Sequence, residues 1–458
     1  MLAPDGEARA GNVLAVEVRL LGTGSADGWP NPWCSCASCD WARTAGEQRT
    51  HTSALVDGVL LLDCGPDVPR AASRAGVSLG SVRWILLGHA HPDHTGPQSL
   101  LWRPWATTGT APLEILGPPA SVAACRAFLD DHPDDAVTLT EVHPGDVLDR
   151  DGYRLRAWEA DHGGPAIRPS LLWDVESQPP ETSDGTGTGR RLLYGSDTLP
   201  LPDERLPTGP YDLVLLEETY GDGPPFGDHL GLQTFAGTLA ALRRTGAMPD
   251  GGRAVAVHLG HANPPGPELA RRLALLGAEL HPDGALLQLD GPAVHPDPEH
   301  PKRVLVTGGS RSGKSEEAER RLLGEPEAVY AATALELPDD AEWTARLAAH
   351  RDRRPAHWTT VTTGRLAPLL REPGPPVLVD DVGFWLTRGE ESADEFVTAF
   401  RETARRTVVV TGEVGSGVVP SSAAGRRFRD ELGLVNSRLA AEADEVWHCV
   451  AGIARQLK

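Results

Sequence analysis

Lysine is almost missing from this chain. Three of its 43 basic residues are lysines, at positions 302, 314 and 458, and arginine supplies the rest. Positive charge as a whole is short, because 64 acidic residues leave a formal net charge of −21. So acidic a chain has no broad basic surface for nucleic acid or an anionic membrane, and neither is expected as a partner. Apolar runs of about 18 residues are absent, so no helical membrane span is expected. Met1 to Asn12 lack the basic and apolar regions of a signal peptide, and a cytoplasmic protein is expected. Cysteine is scarce as well. Cys34, Cys36 and Cys39 cluster while Cys64, Cys125 and Cys449 are scattered, which argues against a disulfide framework and suits a metal site in a reducing compartment. The scattered cysteines are expected to be inert core residues.

One of the rare lysines stands where chemistry requires it. Gly308, Gly309, Ser310, Arg311, Ser312, Gly313, Lys314 and Ser315 fit the phosphate-loop pattern G-x-x-x-x-G-K-[ST] at every fixed position. A strand-like run, Arg303 to Thr307, precedes the loop, and a helix-like run, Glu316 to Leu323, follows it. Glycines let backbone N–H groups curl around phosphate oxygens. Lys314 is expected to reach the outer phosphates of a nucleoside triphosphate, and Ser315 to hold its magnesium.

The length suits about two or three domains. Short apolar runs between Gly/Pro turns dominate residues 13–290, with few helices. The clearest strands are Val16–Leu21, Leu60–Leu62, Trp84–Leu87, Leu192–Tyr194, Leu213–Leu216 and Ala254–Val257; Thr234–Thr245 and Pro267–Leu276 have helical spacing. Glu176 to Gly189 reads as a surface loop. A proline-rich linker is expected over 291–301, and a strand–helix alternation typical of a parallel sheet over 302–458.

His89, His91, Asp93 and His94 pack four ligand-type side chains into six residues just past the strand Trp84–Leu87. Imidazole and carboxylate donors suit zinc, manganese or iron(II). Asp63, His162, Asp197 and His258 each follow another apolar run, where strand ends converge. This set resembles the metallo-β-lactamase superfamily, which implies an αββα sandwich with a two-metal hydrolytic site. By that resemblance His89, His91 and His162 bind one metal, zinc or manganese; Asp93, His94 and His258 bind the second; and Asp197 bridges them. Asp63 is expected to orient a ligand.

Three thiolates in the spacing C-x-C-x-x-C need a fourth ligand to close a tetrahedral zinc site, and His261 is the best candidate. With the Leu21, Gly22, Thr23, Gly24 opening, this resembles the PhnP-type phosphodiesterases. His229 resembles their general-acid histidine. A ribonuclease Z or glyoxalase type of hydrolase, and a zinc-stabilised scaffold without activity, are the alternatives for this half.

In the C-terminal half, Val377 to Asp381 is an apolar strand ending in acids, as expected of the magnesium-binding strand of a phosphate-loop enzyme. The phosphate loop is followed in order by Tyr330 to Thr333, by His350, Arg351, Arg354 and Pro355, by Trp385 to Thr387, by Glu413 to Pro420, and by Gly452 and Ile453. The whole resembles the bifunctional cobinamide kinase and cobinamide-phosphate guanylyltransferase family. The resemblance implies a P-loop α/β domain with a mainly parallel sheet, adenosylcobinamide and its phosphate as substrates, ATP or GTP with Mg²⁺, and a homo-oligomer through these domains. It makes His350 the residue that carries GMP, with His357 as runner-up. Lys314 and Asp380 join it in catalysis, and Arg351, Arg354 and Glu413 bind nucleotide. Gly412 and Thr362 or Thr363 depart from the family pattern, which commonly has Asn and Glu at these places. A GTP-binding sensor without transferase activity is the alternative for this half.

Overall fold

The structure, a computed structural model, describes residues 16–178, 189–222, 227–289, 302–334, 341–352 and 354–458. The chain divides into two compact units, Met1–His295 and Pro296–Lys458. The expected linker at 291–301 and most of the expected loop at 176–189 lie outside the described residues.

Among the described residues, the first unit holds thirteen strands. In chain order they are β1 (Glu17–Gly22), β2 (Ser53–Val56), β3 (Leu60–Leu62), β4 (Trp84–Leu86), β5 (Leu113–Gly117), β6 (Val137–Glu141), β7 (Val147–Arg150), β8 (Tyr153–Ala160), β9 (Ser170–Ser177), β10 (Arg191–Gly195), β11 (Leu213–Glu217), β12 (Arg253–Val257) and β13 (Leu286–Gln288). One sheet has the order β13-β1-β2-β3-β4-β5-β6 and the other β12-β11-β10-β9-β8-β7. The sheets face each other because alternate side chains of each strand are apolar and meet in one core. Leu60, Leu62, Trp84 and Leu86 from the first sheet join Leu155, Trp173, Tyr194, Leu213 and Leu215 from the second. Leu61 and Ile85 point the other way, into a second core completed by Val68, Ala71 and Cys125. Those residues come from helices α2 (Val68–Arg74) and α3 (Pro119–Asp131), which with α1 (Ala37–Ala45) precede α4 (Leu232–Arg244) and α5 (Gly266–Leu275).

The first three helices are a correction to the expected scarcity of helix in this half. Helices α1 and α2 are short, and α2 and α3 carry proline in the first turn, where a missing N–H costs nothing. Proline there reads as a turn in the bare sequence.

The second unit contains β14 (Arg303–Gly308), β15 (Val329–Ala332), β16 (Thr359–Thr362), β17 (Val377–Asp380), β18 (Thr407–Gly412), β19 (Glu445–Val450) and β20 (Ile453–Gln456), in the order β16-β15-β17-β18-β14-β19-β20. All neighbours are parallel except β19 with β20. Val304 and Val306 pack on one face and Leu305 on the other, so the sheet is buried on both sides, as a parallel sheet requires. Helices α6 (Lys314–Arg320), α7 (Ala341–Asp352), α8 (Ala367–Arg371), α9 (Val382–Arg388), α10 (Ala393–Glu402) and α11 (Ala423–Glu442) complete the unit.

Leu215 is fully buried between the two sheets of the first unit. Leu215→Ala should cost roughly 2–5 kcal/mol. Urea denaturation should show the unfolding transition of that unit at lower denaturant, with the other unit's transition unmoved.

Candidate functional site

The histidines and aspartates expected to hold two metals follow strand ends, as does Asp63. Asp63 follows β3, and His89, His91, Asp93 and His94 lie in the turn after β4. His162 follows β8, Asp197 follows β10 and His258 follows β12. These ends converge, and two clusters form whose ligand atoms lie within 4.8 Å of one another: His89, His91, His162 with Asp197, and Asp93, His94, His258 with Asp197. Asp63 and His258 both take a left-handed backbone, at φ 56°. Non-glycine residues rarely do so, and such strain collects at functional sites.

The clusters fit metal ions. His91 Nδ1 lies 3.0 Å from His89 Nε2 and 3.1 Å from His162 Nε2. Tetrahedral ligands on one metal with bonds of about 2.0 Å stand about 3.3 Å apart. Asp197 is buried, with Oδ2 3.1 Å from His94 Nε2 and Oδ1 3.4 Å from His258 Nε2. His94 Nε2 and Asp197 Oδ1 make no hydrogen bond, as suits atoms left for a metal. The opposite ring nitrogens are held from outside. His94 Nδ1 meets Asp63 Oδ2 at 2.6 Å, His162 Nδ1 the carbonyl of Asp228 at 2.9 Å, and His258 Nδ1 the hydroxyl of Thr219 at 2.9 Å. Tyr194 donates to the same Asp63 oxygen at 2.8 Å. Such outer contacts fix ring orientation and free Nε2 of each ring for a metal.

The titratable groups of the clusters act strongly on one another: burial opposes a charge on His94, but Asp197, Asp93 and Asp63 outweigh it and hold the ring well above its usual value. Burial opposes the charge of Asp93 and Asp197, yet the surrounding imidazoles, His94 and His258 foremost, hold both carboxyls far below the usual range. Burial and the neighbouring His94 push His89 down, so its ring stays neutral, the form that binds metal.

Beside the clusters stands His229, whose Nδ1 is 3.1 Å from Glu217 Oε2 and 3.8 Å from Asp197 Oδ2. Burial works against a charge on this ring, but Glu217 outweighs it and raises the value to about 9. A dication bound nearby would lower that value, toward the range in which the ring can give up a proton near neutral pH. Glu217 is fully buried and also accepts from Thr198 N at 2.6 Å, Thr219 Oγ1 at 2.6 Å and Leu230 N at 3.2 Å. It is therefore a fixed orienting group for His229.

Cys34, Cys36, Cys39 and His261 form a separate cluster with ligand atoms within 4.8 Å of one another. Burial raises Cys36, but the Cys39 amide, the His261 ring and Cys34 outweigh it and bring the thiol to about 6. Burial lifts Cys39 to about 12. Three sulfurs and an imidazole at this spacing match a tetrahedral zinc site.

In the second unit the phosphate loop links β14 to α6. Gly308 is irreplaceable on packing grounds, because a Cβ there would lie 2.5 Å from the carbonyl of Cys449 and from Ser312 Oγ. Gly313 has φ 90°, and Arg311 is also left-handed at φ 57°. Gly309 accepts from Lys314 Nζ at 3.5 Å through its carbonyl. Asp380, the last residue of β17, accepts from Ser315 Oγ at 3.4 Å and from the Tyr330 hydroxyl. Serine hydroxyl plus carboxylate suits Mg²⁺. Burial and the neighbouring Asp380 raise Asp381 to about 6. A cavity of about 200 Å³ is lined by Lys314, Ser315, Asp380, His350, Arg351 and Arg354, among others. His350 Nδ1 is 3.7 Å from Asp380 Oδ2, and the Arg354 guanidinium lies 3.6 Å from the centre of the Tyr330 ring.

Thr362, one of the departures from the family pattern, lines the same cavity. Gly412, the other, accepts from Asn436 Nδ2 at 3.0 Å through its carbonyl. Glu413 is not among the residues that line the cavity. Its carboxylate accepts from the amides of Gly415 at 2.7 Å and Ser416 at 3.3 Å, and its own amide donates to the carbonyl of Gly308. Ser310 and Arg311 lie in the loop turn, and Ser312 Oγ is buried without a hydrogen bond.

Sequence reasoning missed Glu217, Thr219 and Tyr194. Glu217 closes the apolar strand Leu213–Leu216, the same signal that marks Asp63 and Asp197, so it was open to discovery. Thr219 and Tyr194 act through tertiary contacts that no local pattern encodes. Asp63→Ala should weaken metal binding at the histidine clusters about 10–100-fold, as read by competition with a chromogenic chelator.

Two family models match the chain. Residues 304–457 match the model of cobinamide kinase / cobinamide phosphate guanyltransferase, and residues 59–259 that of the beta-lactamase superfamily domain. The bifunctional adenosylcobalamin biosynthesis protein CobU of Salmonella typhimurium is 38% identical over 181 residues, covering 34% of this chain and 99% of that protein. Ribonuclease Z of Mycolicibacterium paratuberculosis is 31% identical over 204 residues, covering 40% of this chain and 64% of that protein. A solved diphosphatase of the PhnP family covers 60% of this chain and 97% of its own, at 21% identity and a TM-score of 0.47. With a metallo-β-lactamase fold in its first unit, the chain belongs through its second to the cobinamide kinase / cobinamide phosphate guanyltransferase family.

Proposed function

We propose that the chain is a fused enzyme of cobalamin synthesis. Its second unit phosphorylates adenosylcobinamide and then transfers GMP to the new phosphate, and its first unit hydrolyses a phosphate ester. The observation that carries the first half is one cavity that brings Lys314, Ser315, Asp380 and His350 together, in a segment 38% identical to nearly the whole of a bifunctional relative.

The residues divide the work. Backbone amides of the phosphate loop and Lys314 bind the triphosphate of ATP or GTP. Ser315 and Asp380 hold Mg²⁺, which supplies charge neutralisation at the phosphates. Imidazole is a competent phosphorus nucleophile near neutral pH. His350 attacks the α-phosphorus of GTP, pyrophosphate leaves, and the phosphate of cobinamide phosphate then takes the GMP from the ring. Arg351 and Arg354, on the same cavity wall, offset the charge of the transferred group.

In the first unit, His89, His91 and His162 hold one divalent metal, zinc or manganese, and Asp93, His94 and His258 the other, with Asp197 shared. Metals in these places supply a nucleophile from water at neutral pH and stabilise charge on a phosphate. His229, oriented by Glu217, delivers a proton to the leaving oxygen. Cys34, Cys36, Cys39 and His261 hold a structural zinc. A second reading, hydrolysis of RNA, has the 31% identity to ribonuclease Z in its favour and the net charge of −21 against it.

With α-labelled GTP and magnesium, the denatured full chain should carry acid-labile label, and His350→Ala should carry none. Absence of label in the parent despite GTP binding would leave a kinase or a nucleotide sensor. Among cyclic ribose phosphates, cobamide precursors and precursor tRNA, the full chain should hydrolyse a small phosphodiester and spare the RNA. His229→Ala should lower that kcat about 10²–10⁴-fold with metal content unchanged.

A further inference from the structure

The cysteine cluster has a neighbour that the ligand count leaves out. Asp27 Oδ2 lies 3.2 Å from His261 Nε2, while His261 Nδ1 faces Cys36 Sγ at 3.8 Å. The two ring nitrogens therefore point at different partners, one at a carboxylate and one at the thiols. Asp27 is itself fixed. Its Oδ1 accepts from Ser25 Oγ at 2.7 Å, and its Oδ2 accepts from Asn31 Nδ2 at 2.7 Å. Gly28, at φ 69°, closes the turn by donating its amide to the carbonyl of Ser25 at 2.9 Å.

The same turn is tied to the metal clusters. Leu259 N donates to the Thr23 carbonyl at 2.9 Å, and Ser25 N donates to the Leu259 carbonyl at 3.2 Å. Leu259 lies between His258, which faces Asp93 and Asp197, and His261. Thus the loop that carries Asp27 grips the short segment that serves both sites.

We propose that Asp27 is the positioning residue of the cysteine site: it accepts a hydrogen bond from Nε2–H of His261, which leaves Nδ1 as the atom offered to zinc. The inference rests on the reading of Cys34, Cys36, Cys39 and His261 as a zinc site. Carboxylate–histidine–metal relays raise ligand basicity and fix the tautomer, and losing the outer partner commonly lowers metal affinity 10–100-fold. Asp27 acts through His261 and is not a further ligand, since the compact cluster already offers four, three sulfurs and the imidazole.

The test uses the full chain loaded with zinc, and separately with cobalt(II), whose thiolate charge-transfer band reports the cysteine site alone. Chelator titration of Asp27→Ala should show zinc released from this site at about 10–100-fold lower chelator concentration, with the metals of the histidine clusters retained. The cobalt band should persist at saturating metal, because all three thiolates remain. Asp27→Asn keeps an oxygen acceptor and should recover most of the affinity. Equal affinity in parent and Asp27→Ala overturns the proposal, as does an Asn variant no better than Ala. A parent whose zinc content is unchanged by Cys36→Ser has no zinc at the cysteines, and that result overturns the zinc-site reading and this proposal together.

Discussion

Buried charge at the mouth of the first unit constrains everything around it. Asp197 is 1% exposed, and imidazole nitrogens of five histidines stand within 3.8 Å of its carboxylate. Desolvated ionic groups are costly unless their partners are complete. Protonated histidines would repel one another, and neutral ones would leave Asp93 and Asp197 without compensation. Divalent cations remove the conflict, because neutral rings and ionised carboxylates are then the favoured forms. The sandwich makes the conflict possible. Strands β4, β8, β10 and β12 each lead into a residue of the clusters, and β3 leads into Asp63, which holds His94 from outside.

The second unit obeys the same rule with different chemistry. Parallel strands β14 and β17 end together, one in the phosphate loop and the other in Asp380. Tight packing fixes the loop's shape. Gly308 lies against strand β19, and Gly452, in the turn after that strand, donates to the carbonyl of Ser312 at 3.0 Å. Arg311 and Gly313 supply the left-handed turns that aim backbone amides inward. His350 reaches the cavity from α7, so the nucleophile we propose and the groups we propose to hold phosphate belong to separate elements. Transfer in two stages suits that division.

Much of this was legible in the sequence, because the informative residues are local. The phosphate loop is a contiguous eight-residue pattern, and the histidine motif sits directly after an apolar run. Strand ends carrying His162, Asp197 and His258 could be read one by one, since a short strand-like run, Leu155–Trp158, Leu192–Tyr194 or Ala254–Val257, stops shortly before each. Helices α1 to α3 were illegible: α1 and α2 are brief, proline opens α2 and α3, and tertiary packing rather than periodicity decides them. The outer contacts were mostly illegible as well. Asp27 and His261 are 234 positions apart in the chain, and Tyr194 and Asp63 are 131 apart, so nothing local links either pair.

Metal stoichiometry tests the central claim most directly. Elemental analysis of the purified, folded full chain should find about three divalent ions, two at the histidine–aspartate clusters and one at the cysteines. Cys36→Ser should remove one and His91→Ala with His258→Ala the other two. A folded chain that keeps its histidine clusters metal-free at saturating zinc and manganese would contradict the account, for the buried charges around Asp197 would then be satisfied in some other way.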